Sequence, residues 1–100
     1  MPPPPPPSIS LTVVAKGVRF VPNALSAPVG AMVNVTLDNQ DSGVPHDITF
    51  FDPAGTRVAG TEIATGPNAS STAFTPEGTG SYSFVCSVHP FQMTGTLTIQ

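Results

Sequence analysis

Apolar and polar residues alternate from Ser8 onward in runs of a few residues, and glycine, proline or asparagine interrupts these runs. Alternation with a period of two places apolar side chains on one face of a β-strand, whereas an amphipathic helix requires a period near 3.6. No stretch of any length has the helical period. The pattern therefore predicts an all-β fold, a Greek-key β-sandwich of about seven or eight short strands.

Three of the predicted strands adjoin the residues with the richest chemistry. One strand begins at His46 and continues through Ile48 and Phe50, another spans Gly80 to Cys86, and the last spans Thr94 to Gln100. Side chains at alternate positions of the last two strands are expected to point into the core: Tyr82, Phe84, Cys86, Leu97 and Ile99. These strands should carry His46 and Cys86 at their ends.

Residues 52–70 are rich in glycine, proline, alanine, threonine and asparagine, without clear alternation. Such a composition favours turns over regular structure. We predict loops there, with at most a brief strand or helical turn near residues 58–63. A further strand is predicted at Ser71–Phe74.

The length of 100 residues fits one domain. Six consecutive prolines, Pro2 to Pro7, lack amide donors and favour an extended polyproline II segment. We predict a proline-rich tail or linker at residues 1–7 and the folded domain at residues 8–100. Two interpretations of the proline run stay open: a stiff spacer between the domain and an anchor, or a disordered or engineered tail.

The charge pattern excludes some partners. The net charge is −3, and the only basic residues are Lys16, Arg19 and Arg57, so no surface can neutralise a run of phosphates. Nucleic acid is therefore not an expected partner.

The charged fraction of 9% lies far below the roughly 25% of average domains, which suits an exported β protein with a polar but weakly charged surface. We expect a monomer.

No apolar run approaches the roughly 20 residues that span a bilayer, and no basic segment is followed by an apolar one as in a secretory signal. No transmembrane segment is therefore predicted in this chain. We expect an extracytoplasmic location, periplasmic or membrane-tethered. Either a signal or anchor has been removed from the N-terminal side, or the domain was cut from a longer polypeptide.

One segment near the C-terminus gathers three metal-binding groups: Cys86, His89 and Met93 lie within eight residues. The chain has no other cysteine, and its second histidine, His46, lies upstream. A cysteine, two histidines and a weakly bound axial methionine form the blue-copper electron-transfer site. The sequence thus predicts one type 1 copper ion bound by His46, Cys86, His89 and Met93.

The flanking residues carry a resemblance to a known family. The segment from Gly80 to His89, Gly-Ser-Tyr-Ser-Phe-Val-Cys-Ser-Val-His, resembles the ligand strand and loop of plastocyanins, as does Pro45-His46-Asp47. His89-Pro90-Phe91 is similar to amicyanin, and Met93-Thr94-Gly95 fits the Met-x-Gly of both groups. The chain from Ser8 to Gln100 thus resembles cupredoxins, the type 1 blue copper proteins. This resemblance implies that the protein is a one-electron carrier and not an enzyme.

The number of residues after His89 does not by itself identify the axial ligand. Three residues separate His89 from Met93, whereas amicyanins have two in that loop and plastocyanins four. Counting as in amicyanin reaches Gln92, and a glutamine amide is also an axial ligand in some sites. Met-x-Gly and the strand that follows it favour Met93.

Two positions depart from the resembled families, and one further position is expected to be structural. Asp47 stands where asparagine usually follows the first histidine, and it should accept a hydrogen bond from the amide or hydroxyl of Ser87. Val88 stands where proline usually precedes the second histidine. Tyr82 is expected to form a tyrosine corner.

Three functions are compatible with this sequence. The first is a carrier that passes one electron between larger redox proteins, such as a cytochrome or oxidase, and docks them near His89, Pro90 and Phe91. The second is a cupredoxin relay domain from a larger oxidase or reductase. The third is a non-redox, copper-binding β-sandwich.

Overall fold

The computed structural model describes residues 7–100. The predicted tail at residues 1–7 lies outside the described residues except for Pro7. The strands, in chain order, are β1 (Ser8–Ala15), β2 (Phe20–Val21), β3 (Ala24–Ala27), β4 (Met32–Asn39), β5 (Pro45–His46), β6 (Thr49–Phe51), β7 (Arg57–Gly60), β8 (Ala64–Thr65), β9 (Asn68–Phe74), β10 (Gly80–Val85) and β11 (Thr94–Ile99).

Two sheets form the sandwich, with strand orders β2-β1-β4-β9 and β3-β11-β10-β6-β7, while β5 and β8 pair separately. Both sheets are mixed, because β1 runs parallel to β4 and β3 runs parallel to β11. The predicted all-β sandwich is confirmed: residues 7–100 contain no helix, and eight of their strands have three or more residues. Accordingly, these residues hold no apolar helix of a length that crosses a membrane.

The core lies between the facing sheets and follows the alternation in the sequence. In β4, Val33, Val35 and Leu37 are buried, whereas the residues that alternate with them are exposed or half-buried. The last strand likewise buries Leu97 and Ile99. Apolar burial of this kind stabilises the fold by roughly 1.5–3 kcal/mol for each large side chain.

Three aromatic rings fill the centre. The ring of Phe84, on β10, lies 5.4 Å from that of Phe20 and 5.3 Å from that of Phe50, centroid to centroid, in tilted arrangements that aromatic pairs favour. Phe84 also faces Gly95 across the pairing of β10 with β11. The aromatic cluster therefore joins both halves of the sandwich just below the end that carries Cys86.

Residues 57–74 contain more strand than the sequence predicts. The expected brief strand is β7, but β8 also forms, and β9 begins at Asn68, three residues before the predicted start at Ser71. β9 lies at a sheet edge and pairs only with β4, and every second residue of it is half-buried. Apart from Phe74, which packs against the core, the half-buried residues are polar, so the sequence shows no alternation of apolar and polar residues there.

The predicted tyrosine corner is confirmed. The Tyr82 hydroxyl donates a hydrogen bond to the carbonyl of Gly78 over 3.0 Å. Its ring is buried on the same face of β10 as Phe84. This bond fixes the turn that leads into β10 at the end opposite Cys86.

Replacement of Gly95 tests the packing of the aromatic cluster. A Cβ at this position would overlap with the ring of Phe84 and approach the carbonyl oxygen of Asn23 to 2.8 Å. We predict that Gly95→Ala lowers the free energy of unfolding by about 1–3 kcal/mol, the usual range for overpacking. Urea denaturation measures this. The matched control is Gly78→Ala, where a Cβ meets nothing within 4 Å; equal stability losses in the two variants would contradict the interpretation.

Candidate metal centre

Strand pairing brings three separated segments to one end of the sandwich. Val85, the last residue of β10, pairs with Thr49 of β6 on one side and with Thr94 of β11 on the other. Cys86 follows β10 directly, and Met93 directly precedes β11. The segment with His46 leads into β6, so its side chain reaches the same end.

Three potential metal-binding atoms converge there. The Sγ of Cys86 lies 3.8 Å from the Nδ1 of His46 and 3.7 Å from the Nδ1 of His89, and all three atoms lie within 4.8 Å of one another. The two imidazole rings meet edge-on, with centroids 5.0 Å apart. Cys86 and His46 are buried, whereas His89 is partly exposed. The structure thus brings together three of the residues that the sequence predicts as ligands.

The spacing of these atoms suits a metal ion at their centre. Protein-bound transition metals such as zinc lie about 2.3 Å from a thiolate and about 2.0–2.1 Å from an imidazole nitrogen. A sulfur and a nitrogen atom that bind the same ion must therefore lie less than about 4.3–4.4 Å apart. The observed 3.7 and 3.8 Å satisfy this condition, so the spacing allows one ion to contact the sulfur and each nitrogen.

The ligand loop is fixed by its own backbone. The Cys86 amide donates to the Met93 carbonyl over 3.0 Å, and the Met93 amide donates to the His89 carbonyl over 3.0 Å. The His89 amide closes the loop by donating to the Cys86 carbonyl over 3.2 Å. These bonds set the positions of the thiolate, the imidazole and Met93 relative to one another.

The two candidate axial residues lie in different environments. Met93 is fully buried, with 0% of its surface exposed, whereas the neighbouring Gln92 is exposed. Burial of a thioether is inexpensive, but a buried amide requires hydrogen-bonding partners. The environment of Met93 is therefore the one that suits a weak axial donor beside Cys86.

Asp47 joins the two ligand segments. Its carboxylate accepts hydrogen bonds from the Ser87 amide over 2.6 Å and from the Ser87 hydroxyl over 2.7 Å. The hydroxyl of Thr49 also donates to it, over 3.3 Å. Both hydrogen bonds between Ser87 and Asp47 that the sequence suggested, from the amide and from the hydroxyl, are thus present. They connect the residue after His46 to the residue after Cys86.

A second carboxylate, which sequence reasoning missed, contacts His46 itself. The Oδ2 of Asp41 lies 2.7 Å from the Nε2 of His46. This hydrogen bond, and then that from the Val18 amide, holds the pKa of Asp41 below its usual value. The amide of Gly17 donates to the other oxygen over 2.7 Å. Since these amides lie 23 and 24 residues away in sequence, no local pattern could have indicated the contact.

The fold and the donor set together define a class, β-sandwich metalloproteins with a centre of two histidines, a cysteine and a nearby methionine. The chain belongs to the cupredoxin family, since the model of the family described as a cupredoxin-like domain matches residues 6–99. No curated protein sequence matches the chain at a significant level.

Solved structures of blue copper and related proteins share this fold. Auracyanin A, a "blue" copper protein from the green thermophilic photosynthetic bacterium Chloroflexus aurantiacus, superposes with a TM-score of 0.83 at 18% identity, covering 93% of this chain and 99% of that one. Azurin Az-iso2 from Methylomonas sp. strain J superposes with a TM-score of 0.74 at 16% identity, covering 94% and 98%.

An amicyanin variant in its Cu(I) form gives a TM-score of 0.68 at 24% identity, covering 91% of this chain and 82% of that one. At these identities the likeness demonstrates the common fold. Within that fold, the thiolate, the two imidazoles and the buried methionine are arranged as in a type 1 copper site, which confirms copper as the cofactor that fits the centre.

The charge of Asp47 should influence the potential of the centre. Asp47→Asn keeps an oxygen that can accept from the Ser87 amide but removes a negative charge that favours Cu(II). We predict a rise in reduction potential of roughly 65–130 mV, because a hydrogen bond to a charged group contributes about 1.5–3 kcal/mol and about 1.4 kcal/mol, a tenfold change, corresponds to about 59 mV for one electron. Protein-film voltammetry measures the shift.

The control for this prediction is Ser87→Ala, which removes the hydroxyl bond but keeps the Asp47 charge. It should shift the potential less than Asp47→Asn. A potential that stays unchanged or falls in Asp47→Asn would count against the role of the charge.

Proposed function

We propose that this protein is an electron carrier that passes one electron between redox proteins and is not itself an enzyme. The ligands of its copper ion are His46, Cys86, His89 and Met93. The observation that carries the proposal is the convergence of the Cys86 thiolate and the two Nδ1 atoms at 3.7 and 3.8 Å beside buried Met93. A copper ion held there would store one electron by changing between Cu(II) and Cu(I).

The properties of the donors support redox function. A thiolate and two imidazoles bind both oxidation states, and a thioether leaves the geometry between their separate preferences. The backbone bonds of the loop and the bridge from Asp47 to Ser87 restrict movement of the donors. Donors that are restrained in this way would need little rearrangement when an electron is exchanged.

The exposed surface beside His89 supports docking of a partner. Phe91 is 94% exposed and Val88 is 38% exposed, while Pro90 between them is also exposed. An apolar surface around a partly exposed ligand offers a short path from the centre to a docked protein. A small surface with few charges suits brief association more than a permanent complex.

The composition of the chain argues against a catalytic copper site. Both histidines of the sequence belong to the proposed ligand set, so none remains for a second copper centre. We further propose a monomeric domain at residues 8–100. Its low charged fraction of 9% supports an extracytoplasmic location. A relay domain of a larger oxidase or reductase would use the same centre in the same way.

Copper binding gives the first test of the proposal. Cu(II) added to the metal-free protein should produce an intense thiolate-to-copper absorption near the red end of the visible range, which a reductant should bleach reversibly. Cys86→Ser should abolish this absorption, because it removes the sulfur. A wild-type complex without colour would contradict the proposed function and favour a non-redox, copper-binding sandwich.

The axial ligand can be tested by two neighbouring substitutions. A thioether stabilises Cu(I) better than an amide oxygen, so Met93→Gln should lower the reduction potential and alter the visible spectrum. We expect a decrease of roughly 50 mV or more, since about 59 mV corresponds to a tenfold change in relative affinity for the two oxidation states. Gln92→Ala should change neither, since this side chain is exposed. A larger effect of Gln92→Ala would show that the assignment of Met93 is wrong.

The docking surface can be tested through electron self-exchange, which pairs two copies at their exposed ligand edges. Phe91→Asp should slow self-exchange by at least tenfold, because it adds a charge to the apolar surface, while the visible spectrum stays nearly intact. NMR line broadening in mixtures of the two oxidation states measures the rate. Val58→Asp, which alters an exposed apolar residue of β7, is the control; equal rates in both variants would place docking elsewhere.

A further inference from the structure

The contact between Asp41 and His46 has the form of a carboxylate–histidine–metal chain. The side chain of His46 is fully buried, and its Nε2 has Asp41 Oδ2 at 2.7 Å. An ionised carboxylate only accepts hydrogen bonds, so Nε2 must be the atom that carries the proton. The neutral ring then leaves the lone pair of Nδ1 free on the side facing Cys86 Sγ, 3.8 Å away.

The Asp41 carboxylate is itself held in place from a distant turn. Its two oxygens accept from the amides of Gly17 over 2.7 Å and Val18 over 2.9 Å. Val18 has a φ of 56°, a left-handed conformation that a β-branched residue adopts only when its surroundings impose it. The turn after β1 thus presents two amides to one carboxylate.

The backbone around Asp41 is equally constrained. The Asp41 amide donates to the side-chain oxygen of buried Asn39 over 2.9 Å, and the Val44 amide donates to the Asp41 carbonyl over 3.1 Å. Gly66 packs so closely against this carbonyl that a Cβ there would overlap with it. The carboxylate is therefore oriented by the fold itself.

We propose that Asp41 is a positioning residue of the copper centre, which fixes His46 as the Nε2–H tautomer and biases the centre toward Cu(II). This inference rests on the proposed function only in taking His46 as a copper ligand. A carboxylate on the remote nitrogen of a metal-bound histidine raises the basicity of the ring and sets its orientation. The turn at Gly17 and Val18 belongs to the same support.

The negative charges of Asp41 and Asp47 also favour Cu(II) over Cu(I). Cu(II) with one thiolate carries a net charge of +1, and Asp41 and Asp47 together bring it to −1; an added electron makes it −2. Residues 7–100 contain one potential salt bridge, with a nitrogen–oxygen distance below 4.0 Å. It is the contact of Asp41 with His46 itself. No cation of the described chain therefore pairs with either carboxylate, and both oppose the arrival of the electron.

Two substitutions separate the effect of Asp41 on the orientation of the His46 ring from the effect of its charge. Asp41→Asn keeps one oxygen that accepts from Nε2–H and the Val18 amide, but it removes the charge and the acceptor of the Gly17 amide, whereas Asp41→Ala removes the charge and every acceptor. The matched control is Asp38→Asn, which neutralises a nearby carboxylate whose contact is with Gln40. The tautomer is read from two-bond ¹⁵N–¹H NMR spectra of the metal-free proteins near pH 8, where ordinary histidines are neutral, and the potential is read from the copper-loaded proteins.

The expected results differ between the variants. Asp41→Asn should keep the Nε2–H tautomer and raise the potential by about 59 mV, the equivalent of a tenfold change in the ratio of Cu(II) to Cu(I) affinity. Asp41→Ala should give a mixture of tautomers and lower Cu(II) affinity about 10–100-fold. Asp38→Asn should keep the tautomer and shift the potential clearly less than Asp41→Asn.

Two outcomes would overturn the proposal: a single Nε2–H tautomer in metal-free Asp41→Ala, or a potential shift in Asp41→Asn no larger than that in Asp38→Asn. If Asp41→Ala fails to fold, the potentials of the two asparagine variants decide. A wild-type protein without thiolate-to-copper absorption would refute the proposed function, whereas the tautomer in the metal-free protein would still test the role of Asp41.

Discussion

The pairing of β10 with strands on both of its sides is the constraint on which the metal centre depends. Because β10 lies between β6 and β11, its last residue, Val85, is level with Thr49 and Thr94. The residues just beyond these strand ends have no sheet partners and can turn inward. Cys86 and Met93 are two of them, and the alternation that buries Phe84 also directs the side chain of Cys86 into the sandwich.

Strand pairing alone does not hold the ligand segments at fixed distances, and two carboxylates complete the arrangement. Asp47 connects the segment of His46 to the loop of Cys86 through Ser87, while Asp41 connects the ring of His46 to the turn after β1. Both carboxylates accept several hydrogen bonds, which reduces the cost of their burial. The same groups that position the donors also add negative charge beside them, so geometry and potential are linked in this centre.

Much of this architecture could be predicted from the sequence, because it depends on local patterns. Period-two alternation predicts the strands that bury Val35 and Leu97, and the contact between Asp47 and Ser87 follows from a resemblance in the segments that flank the ligands. The resemblance and the rarity of the residue types single out His46, Cys86, His89 and Met93. Of these, the first three bring their donor atoms within 4.8 Å of one another, and Met93 is buried beside them.

Features that depend on distant partners could not be predicted. The early start of β9 at Asn68 requires β4 as a pairing partner, and the close packing at Gly95 involves the ring of Phe84 and the carbonyl of Asn23, both distant in sequence. The role of Asp41 requires the turn at Gly17, 24 residues earlier, to point two amides toward it. Neither the start of β9 nor the contact of Asp41 with His46 leaves a periodic or spacing signal in the chain, and Met-x-Gly marks Gly95 without revealing its packing partners.

The central claim is that the sandwich, and not the metal, sets the positions of the donor atoms. Crystal structures of the metal-free protein and of its Cu(I) and Cu(II) forms test this most directly. The account predicts that the separations of Cys86 Sγ from the two Nδ1 atoms, 3.7 and 3.8 Å, differ by less than about 0.5 Å among the three forms. A metal-free protein in which residues 86–93 adopt another conformation, with the thiolate turned away from both imidazoles, would contradict it.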